Sequence, residues 1–242
     1  MTFDIITIFP EIFNSFLRES LIARAQKKGL LKIRVHNLRK WTKDRHKTVD
    51  DRPFGGGLGM VVKVEPVFRA ISTLTKLKIK NEKLKIKNPK SKIILFTPRG
   101  KKFNQRIAYQ LSKLDRIIMI CGRYEGVDER VAKHIADSEL SIGDYDLMGG
   151  ELPAMVLMET IARLIPGVIA KTRLLKERIT KEKGFIEYPQ YTRPEVFSPR
   201  LRRGFGGQAK KGVNWRVPKV LLSGHHKKIE DWRKKHGKTI EK

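Results

Sequence analysis

The sequence predicts an α/β fold built on a mainly parallel sheet. Short apolar runs typical of buried strands, such as residues 3–9 and 93–96, alternate with amphipathic stretches typical of helices, such as residues 20–28 and 103–114. Strands that alternate with helices along a chain usually form a parallel sheet covered by helices. The 242 residues are enough to bury a core in one domain or in two modest ones.

Start and stop signals divide the chain into these elements. Pro10 follows the first strand and favours the first turn of a helix that runs to about Phe16. The helix over residues 20–28 is predicted to end at Gly29, because glycine readily adopts the positive φ of a helix C-terminus. The other predicted elements are strands at residues 31–36, 116–121 and 140–142, helices at residues 65–77, 128–135 and 152–164, and a tight turn at residues 97–100.

Two glycine-rich turns, residues 122–126 and 143–150, each follow a predicted strand. Glycine permits positive φ and a close approach of the backbone, and Tyr124 and Tyr145 add flat apolar faces beside the backbone amides. Such a pair of loops can hold a planar, mostly neutral small molecule. Two ordinary strand-to-helix turns would explain the glycines equally well.

The charge of the chain indicates a polyanionic partner. The sequence has 53 Lys and Arg against 25 Asp and Glu, a formal net charge of +28 and a pI near 10.4. Nucleic acid is the favoured partner, with a lysine-rich composition bias or an anionic membrane surface as alternatives. Residues 171–242 carry 21 Lys and Arg against 7 Asp and Glu. This shift predicts a basic, flexible linker and then a small second domain that is mostly helical at its end, with Leu221, Ile229 and Trp232 as a small core.

Several classes of protein are disfavoured by what the sequence lacks. The single cysteine, Cys121, excludes an internal disulfide, and no Cys/His set has the spacing of a zinc site. The glycines of residues 55–59 are not followed by Gly-Lys-Ser/Thr, so a phosphate-binding loop is disfavoured. The N-terminus does not have the pattern of a secretory signal, and no apolar run approaches the roughly 18 residues of a membrane span. We therefore expect an intracellular protein.

The sequence LKIKN occurs twice, at residues 77–81 and 84–88. Two copies do not make a repeat protein. We predict a small duplicated insertion that forms a charged surface helix or hairpin, and we assign it no chemistry.

The motifs taken together resemble one family, the bacterial tRNA (guanine-N1)-methyltransferases of the SPOUT class, which act on guanosine at tRNA position 37. The resemblance extends over almost the whole chain, and the motifs stand in the family's order. They are DIITIFPEIF, DDRPFGGGLGMVVK, FTPRGKKFNQ, CGRYEGVDERV, SIGDYDLMGGELPAM, RLIPGV, YPQYTRPEVF and VPKVLLSGHHKKIEDWR.

This resemblance implies a domain organisation and partners. Residues 1–168 are expected to form a parallel-sheet domain with a trefoil knot near its C-terminal end, which pattern reasoning alone would not propose. Residues 169–187 are expected to be the linker, and residues 188–242 a small, mostly helical tRNA-binding domain. The family likeness further implies a cytoplasmic homodimer that binds the anticodon stem-loop of tRNA.

The resemblance also implies a site for the methyl donor S-adenosylmethionine in the knot loops. Amides exposed at the glycines could read the adenine edge, and a carboxylate such as Glu125 could tolerate the positive charge of the donor's sulfur. By likeness, the donor-binding residues are Leu95, Phe96, Thr97, Pro98, Gly122, Tyr124, Glu125, Ile142, Gly143, Asp144, Tyr145, Asp146, Leu147, Gly149, Gly150 and Pro153. No metal site is expected, although the sequence leaves a Mg²⁺ requirement open.

The catalytic residues follow the family pattern only in part. N1 of guanine carries a proton, so its methylation needs a base and a cation near O6. By resemblance, Arg163 is the O6 partner, whereas the family's linker aspartate falls on Ile179. Glu177 is the nearest candidate base, although Glu177 and Glu182 could equally be residues that only balance a lysine-rich linker.

The tRNA contacts and the rival functions complete the prediction. Arg193, with Thr192 and Tyr191, is expected to contact tRNA, and Leu58 departs from the smaller or imino residue that the family often has in its glycine loop. The absent aspartate leaves an alternative, a tRNA-binding SPOUT protein with weak, altered or lost methyl transfer. A SPOUT enzyme that modifies ribose or another base is a further alternative.

Overall fold

The computed structural model describes residues 1–75, 77–80, 83–86, 88–169, 184–186, 188–198 and 214–240. The chain divides into two compact units, Met1–Lys176 and Glu177–Lys242. Most of the predicted linker, including Glu177, Ile179 and Glu182, lies outside the described residues. No helix in the described ranges is long and apolar enough to cross a bilayer.

A five-stranded parallel sheet forms the centre of the first unit. Its strands are β1 (Thr2–Thr7), β2 (Lys32–Asn37), β7 (Ser91–Lys102), β8 (Arg116–Ile120) and β9 (Ser138–Ser141), in the spatial order β2-β1-β8-β7-β9. Every pairing between neighbours in this order is parallel. The predicted α/β class with a parallel sheet is therefore confirmed.

The three inner strands of the sheet are buried on both faces, which explains the apolar runs in β1, β8 and the first half of β7. Phe3 and Ile5 belong to one buried cluster, whereas Ile6, from the same strand, belongs to the other. Residues that alternate along a strand point to opposite faces, so β1, β7 and β8 each contribute to two cores. Four helices contribute side chains to the first cluster: α1 (Asn14–Arg18), α2 (Ser20–Lys27), α4 (Gln105–Leu111) and α5 (Glu151–Ala162). Helix α3 (Val64–Leu74) contributes to the second.

The ends of several helices follow the local signals. Pro10 begins a 3-10 turn, Pro10–Phe13, that leads into α1. Gly29 follows α2 with a φ of 70°, as its predicted role requires. The side chain of Asn104 accepts a 3.0 Å hydrogen bond from the Ile107 amide and so caps the start of α4. The predicted helix at residues 128–135 is reduced to a single π-helical turn, Val131–Ile135.

Strand β7 differs from its prediction. The turn expected at residues 97–100 is instead a bulge within a longer strand, because Phe96 and Lys101 both pair with Leu140. Gly100 allows this bulge, since a Cβ there would lie 2.6 Å from the Leu140 carbonyl carbon. The helix predicted to begin at residue 103 therefore begins only at Gln105.

Short antiparallel pairs occupy the segments between the sheet strands. In the glycine-rich segment 43–63, β3 (Asp50–Asp51) pairs with β4 (Val61–Val62). In the insertion, β5 (Leu77–Lys80) pairs with β6 (Lys83–Ile86), so the hairpin interpretation of the repeat is confirmed over the helical one.

The second unit is described only in part. Strand β10 (Gly184–Ile186) pairs with β13 (Lys238–Ile240), and β11 (Val196–Phe197) pairs with β12 (Trp215–Arg216). The helices here are α6 (Lys219–Leu222) and α7 (His226–His236). In α7, Trp232 is half-buried and its ring lies 6.2 Å from that of Tyr188 and 4.2 Å from that of His236, centroid to centroid. Leu221 and Ile229 are also only half-buried.

Candidate functional site

A cavity of about 740 Å³ opens beside the bulge of β7, where β8 and β9 lead into their following loops. In open α/β sheets, ligands bind outside the carboxyl ends of the strands, and typical ligand pockets have volumes of about 300–1,000 Å³. Fourteen of the sixteen predicted donor-binding residues line this cavity. They are Leu95, Phe96, Thr97, Pro98, Gly122, Tyr124, Glu125, Ile142, Tyr145, Asp146, Leu147, Gly149, Gly150 and Pro153.

The other two predicted residues, Gly143 and Asp144, do not line the cavity. The Asp144 carboxylate forms an ion pair with Lys102 at the end of β7. Gly143 lies against the ring of Tyr145, which would overlap with any Cβ at that position. These contacts give both residues a structural role outside the cavity.

The first cavity loop, residues 122–126, is held against the β3–β4 pair. The Glu125 amide donates a 3.0 Å hydrogen bond to the Met60 carbonyl, and the Val62 amide donates one of 3.0 Å to the Gly126 carbonyl. Tyr124 and Gly126 both have positive φ, 60° and 118°. This geometry turns the chain sharply and leaves the Tyr124 side chain exposed beside the cavity.

The second cavity loop, residues 143–150, presents apolar side chains. Tyr145, Leu147 and Met148 are exposed, and all three line the cavity. Exposed aromatic and aliphatic groups in a concave site are suited to the face of a planar ligand.

The glycine amides are less available than the sequence suggested. The amide of Gly126 donates to the Arg123 carbonyl at 3.1 Å, and that of Gly150 donates to the Gly122 carbonyl at 3.0 Å. The Gly143 amide donates to the Ser141 hydroxyl at 3.3 Å. These three glycines therefore shape the loops, and a ligand would have to use other backbone groups.

The two cavity loops touch each other directly. Arg123 and Gly149 form an antiparallel backbone bridge. Gly150 has an ordinary φ of −83°, but a Cβ there would lie 2.7 Å from the Cα of Cys121. Close approach of the two loops, and not backbone conformation, requires glycine at position 150.

Sequence reasoning missed an ion pair beside the cavity. The Nε of Arg123 donates a 2.9 Å hydrogen bond to Oε2 of Glu151, the first residue of α5, and Oε1 of Glu151 accepts a 2.6 Å bond from Thr7. A carboxylate is favoured at this helix N-terminus. The adjacent Cys121 thiol is buried, and desolvation, reinforced by the charge of Glu151, raises its pKa well above the usual value. The only sequence signal for Arg123 is its position between Gly122 and Tyr124, two of the predicted donor-binding residues.

The cavity carries charges of both signs. Glu125 and Asp146 supply carboxylates, and Arg99 and Arg123 supply guanidinium groups. Arg99 pairs with Glu129 at 2.7 Å. Within the described ranges, no group of three or more His, Cys, Asp or Glu side chains is arranged to hold a metal ion.

The predicted catalytic arginine lies away from the cavity of its own chain. Arg163 directly follows α5, whose first residues adjoin the cavity. Twelve helical residues rise about 18 Å, so one end of α5 faces the cavity and the other carries Arg163. Arg163 is exposed, and the second predicted catalytic residue, Glu177, lies outside the described residues.

The predicted tRNA-binding residues belong to the second unit. Tyr191, Thr192 and Arg193 are all exposed. The ring of Tyr191 lies 6.3 Å from that of Trp232, so it is fixed against α7.

Comparison with known proteins gives full-length matches. A family model described as tRNA (guanine-1)-methyltransferase TrmD matches residues 1–242. A protein of Dictyoglomus turgidum named tRNA (guanine-N(1)-)-methyltransferase is 48% identical over 232 residues, which cover 96% of this chain and 83% of that protein. A protein of the same name from Clostridioides difficile is 43% identical over 243 aligned positions, which cover 100% of this chain and 94% of that protein.

Proposed function

The chain belongs to the tRNA (guanine-1)-methyltransferase family, and from this we propose that it methylates N1 of guanosine in tRNA, at position 37 beside the anticodon. The observation that carries the proposal is the family match over the whole chain, together with a cavity lined by the two glycine-rich loops.

The proposed methyl donor is S-adenosylmethionine, which supplies a methyl group on a positively charged sulfur. The cavity residues fit such a molecule. Tyr124, Tyr145 and Leu147 offer apolar surface for a planar base, and the carboxylates of Glu125 and Asp146 are compatible with positive charge.

The proposed catalytic residues act on the guanine base. N1 loses its proton as it gains the methyl group, so a base has to accept that proton. We assign this role to Glu177, the carboxylate nearest in sequence to the position where the family has aspartate. Negative charge develops on O6 during the same step, and the guanidinium of Arg163 is assigned to stabilise it.

A homodimer would reconcile the position of Arg163 with this role. The exposed face of α5 carries Leu152, Val156, Glu159 and then Arg163, which are spaced as one helical stripe. Leu152 is 55% exposed and Val156 is 43% exposed, although both are apolar. Antiparallel packing of two copies through this stripe would cover both residues and bring each Arg163 toward the partner's cavity.

The proposed partner, tRNA, explains the charge of the chain. Arg193, with Thr192 and Tyr191, would contact the anticodon stem-loop, and the target base would have to leave its stack to reach the donor. The proposed domains are a knotted donor-binding domain at residues 1–168, a linker at residues 169–187 and a tRNA-binding domain at residues 188–242. The substrate implies a cytoplasmic location.

The test is methyl transfer from labelled S-adenosylmethionine to two tRNA transcripts that differ only at position 37. We expect label at N1 of guanosine in the G37 transcript and none in the A37 transcript. Glu177→Gln should reduce the rate at least 100-fold by removing the base, whereas the matched variant Glu182→Gln should retain it. Binding of tRNA without any product would contradict the proposal and favour a protein that has lost methyl transfer.

A further inference from the structure

Glu151 is a buried carboxylate beside the cavity to which the proposed chemistry gives no role. Its side chain is only 2% exposed. Oε1 accepts a hydrogen bond from the Thr7 hydroxyl and Oε2 accepts one from Arg123. Burying a charge is costly unless it is paired in this way. The pairing explains how the carboxylate is tolerated but not what it does beside the cavity.

The carboxylate joins three parts of the chain that are distant in sequence. Thr7 ends β1, Arg123 belongs to the first cavity loop, and Glu151 directly follows the second. The Thr7 hydroxyl also accepts a 2.9 Å hydrogen bond from the Phe9 amide. The Arg123 guanidinium lies 4.8 Å from the centre of the Phe9 ring. Arg123 is thus held by a carboxylate that is bonded to the last residue of β1 and by an aromatic ring that directly follows this strand.

Arg123 in turn sets the distance between the two cavity loops. Its backbone pairs with Gly149, and its Cδ lies only 2.5 Å from the position that a Cβ of Gly149 would occupy. The side chain therefore fills the space between the loops. Any movement of Arg123 would alter the separation of residues 122–126 and 143–150.

We propose that Glu151 and Thr7 are positioning residues that hold Arg123 and thereby keep the two cavity loops at the separation that admits the methyl donor. The inference rests on the proposed function, because it takes the cavity to be the donor site. Neither Glu151 nor Thr7 lines the cavity, so their effect on donor binding has to pass through Arg123 and the loops.

The test compares variants that change this hydrogen bonding with little change in shape. Thr7→Val removes the hydroxyl, and Glu151→Gln removes the charge. Each should raise the Kd for S-adenosylhomocysteine, measured by calorimetry on the full chain, by about tenfold, as expected for losing a hydrogen bond to a charged group. Thr7→Ser keeps the hydroxyl and should bind with nearly the unchanged Kd.

Asp4→Asn is the matched control. Like Glu151, Asp4 is a fully buried carboxylate, and it lies on β1. It pairs with His36 and Arg116 and with no residue of the cavity. This variant should lower the melting temperature without changing the Kd. If it weakens binding as much as Thr7→Val does, or if Thr7→Val and Glu151→Gln bind normally, the inference is overturned.

Hydrogen exchange provides a readout that needs no ligand. The amides of Gly126 and Gly150 are hydrogen-bonded within the two loops. They should exchange faster in Thr7→Val but not in Asp4→Asn, since local opening sets the exchange rate. Unchanged exchange in Thr7→Val would overturn the inference, even if the proposed function holds. Failure of the unchanged protein to bind S-adenosylhomocysteine would instead overturn the proposed function and, with it, this role.

Discussion

Asp4, on β1, is fully buried, and its neighbours His36 and Arg116 favour its ionised form. His36 Nε2 and Arg116 Nε each lie 2.7 Å from a carboxylate oxygen of Asp4. Burial by itself raises the pKa of the carboxyl, but the hydrogen bond with His36 and the charge of Arg116 outweigh it and hold the pKa below its ordinary value. A lowered pKa in the folded state means that the ionised form stabilises the fold.

Replacing Asp4 with asparagine should lower the free energy of unfolding by about 3 kcal/mol, because Arg116 loses its buried counter-charge. The stabilisation by the carboxylate is complete above its unfolded-state pKa of about 3.9 and is lost as the pH falls through the lower folded-state pKa. Urea titrations at several pH values should therefore show a difference between the two proteins that shrinks below about pH 4.

Asp51→Asn is the control for this comparison. The Asp51 carboxylate is 69% exposed and pairs with Lys63 at 3.8 Å, so its loss should cost less than about 1 kcal/mol. Equal effects of the two substitutions would contradict the stabilising role of the buried network.

At the scale of elements, the sequence predicted the order of the main strands and helices because each carries a local signal. The apolar run that contains Phe3 and Ile5 forms a buried strand, and Gly29 adopts the positive φ expected at the end of a helix. The bulge in β7 could not be predicted, because it depends on contact between Gly100 and Leu140 of another strand. The π-helical turn at Val131–Ile135 likewise lacks a distinct sequence pattern.

Helix α5 gives a prediction about assembly. The double substitution Leu152→Glu and Val156→Glu places two charges on the apolar part of its exposed stripe. Burying these charges would be costly, so a dimer that packs through this face should dissociate. Sedimentation should show a shift from a dimer to a monomer at micromolar concentration.

Phe68→Glu is the matched control for the double variant. Phe68 is an apolar residue that is 45% exposed on α3, which packs on the other face of the sheet from α5. This substitution should leave the dimer intact. A monomeric unchanged protein, or a double variant that remains dimeric, would contradict packing through α5.

At the scale of the whole molecule, the candidate site was predictable where it is local in sequence. The glycine-rich loops could be recognised because each follows its strand directly, and their residues do meet around one cavity. The contribution of Thr7 and Glu151 could not be predicted, because their hydrogen bond joins residues 144 positions apart. Composition, in turn, predicts a polyanionic partner without identifying the residues that contact it.

The formal net charge of +28 predicts that electrostatic attraction contributes strongly to the binding of tRNA. Each phosphate contact releases counterions, so the affinity should fall steeply as the salt concentration rises. Arg193→Gln removes one proposed phosphate contact and should reduce the slope of log K against log salt by about one. Filter binding over a series of salt concentrations measures this slope, while calorimetry with S-adenosylhomocysteine should give an unchanged Kd. An unchanged slope would exclude Arg193 from phosphate binding. A raised Kd for S-adenosylhomocysteine would mean that the substitution disturbs the donor cavity instead.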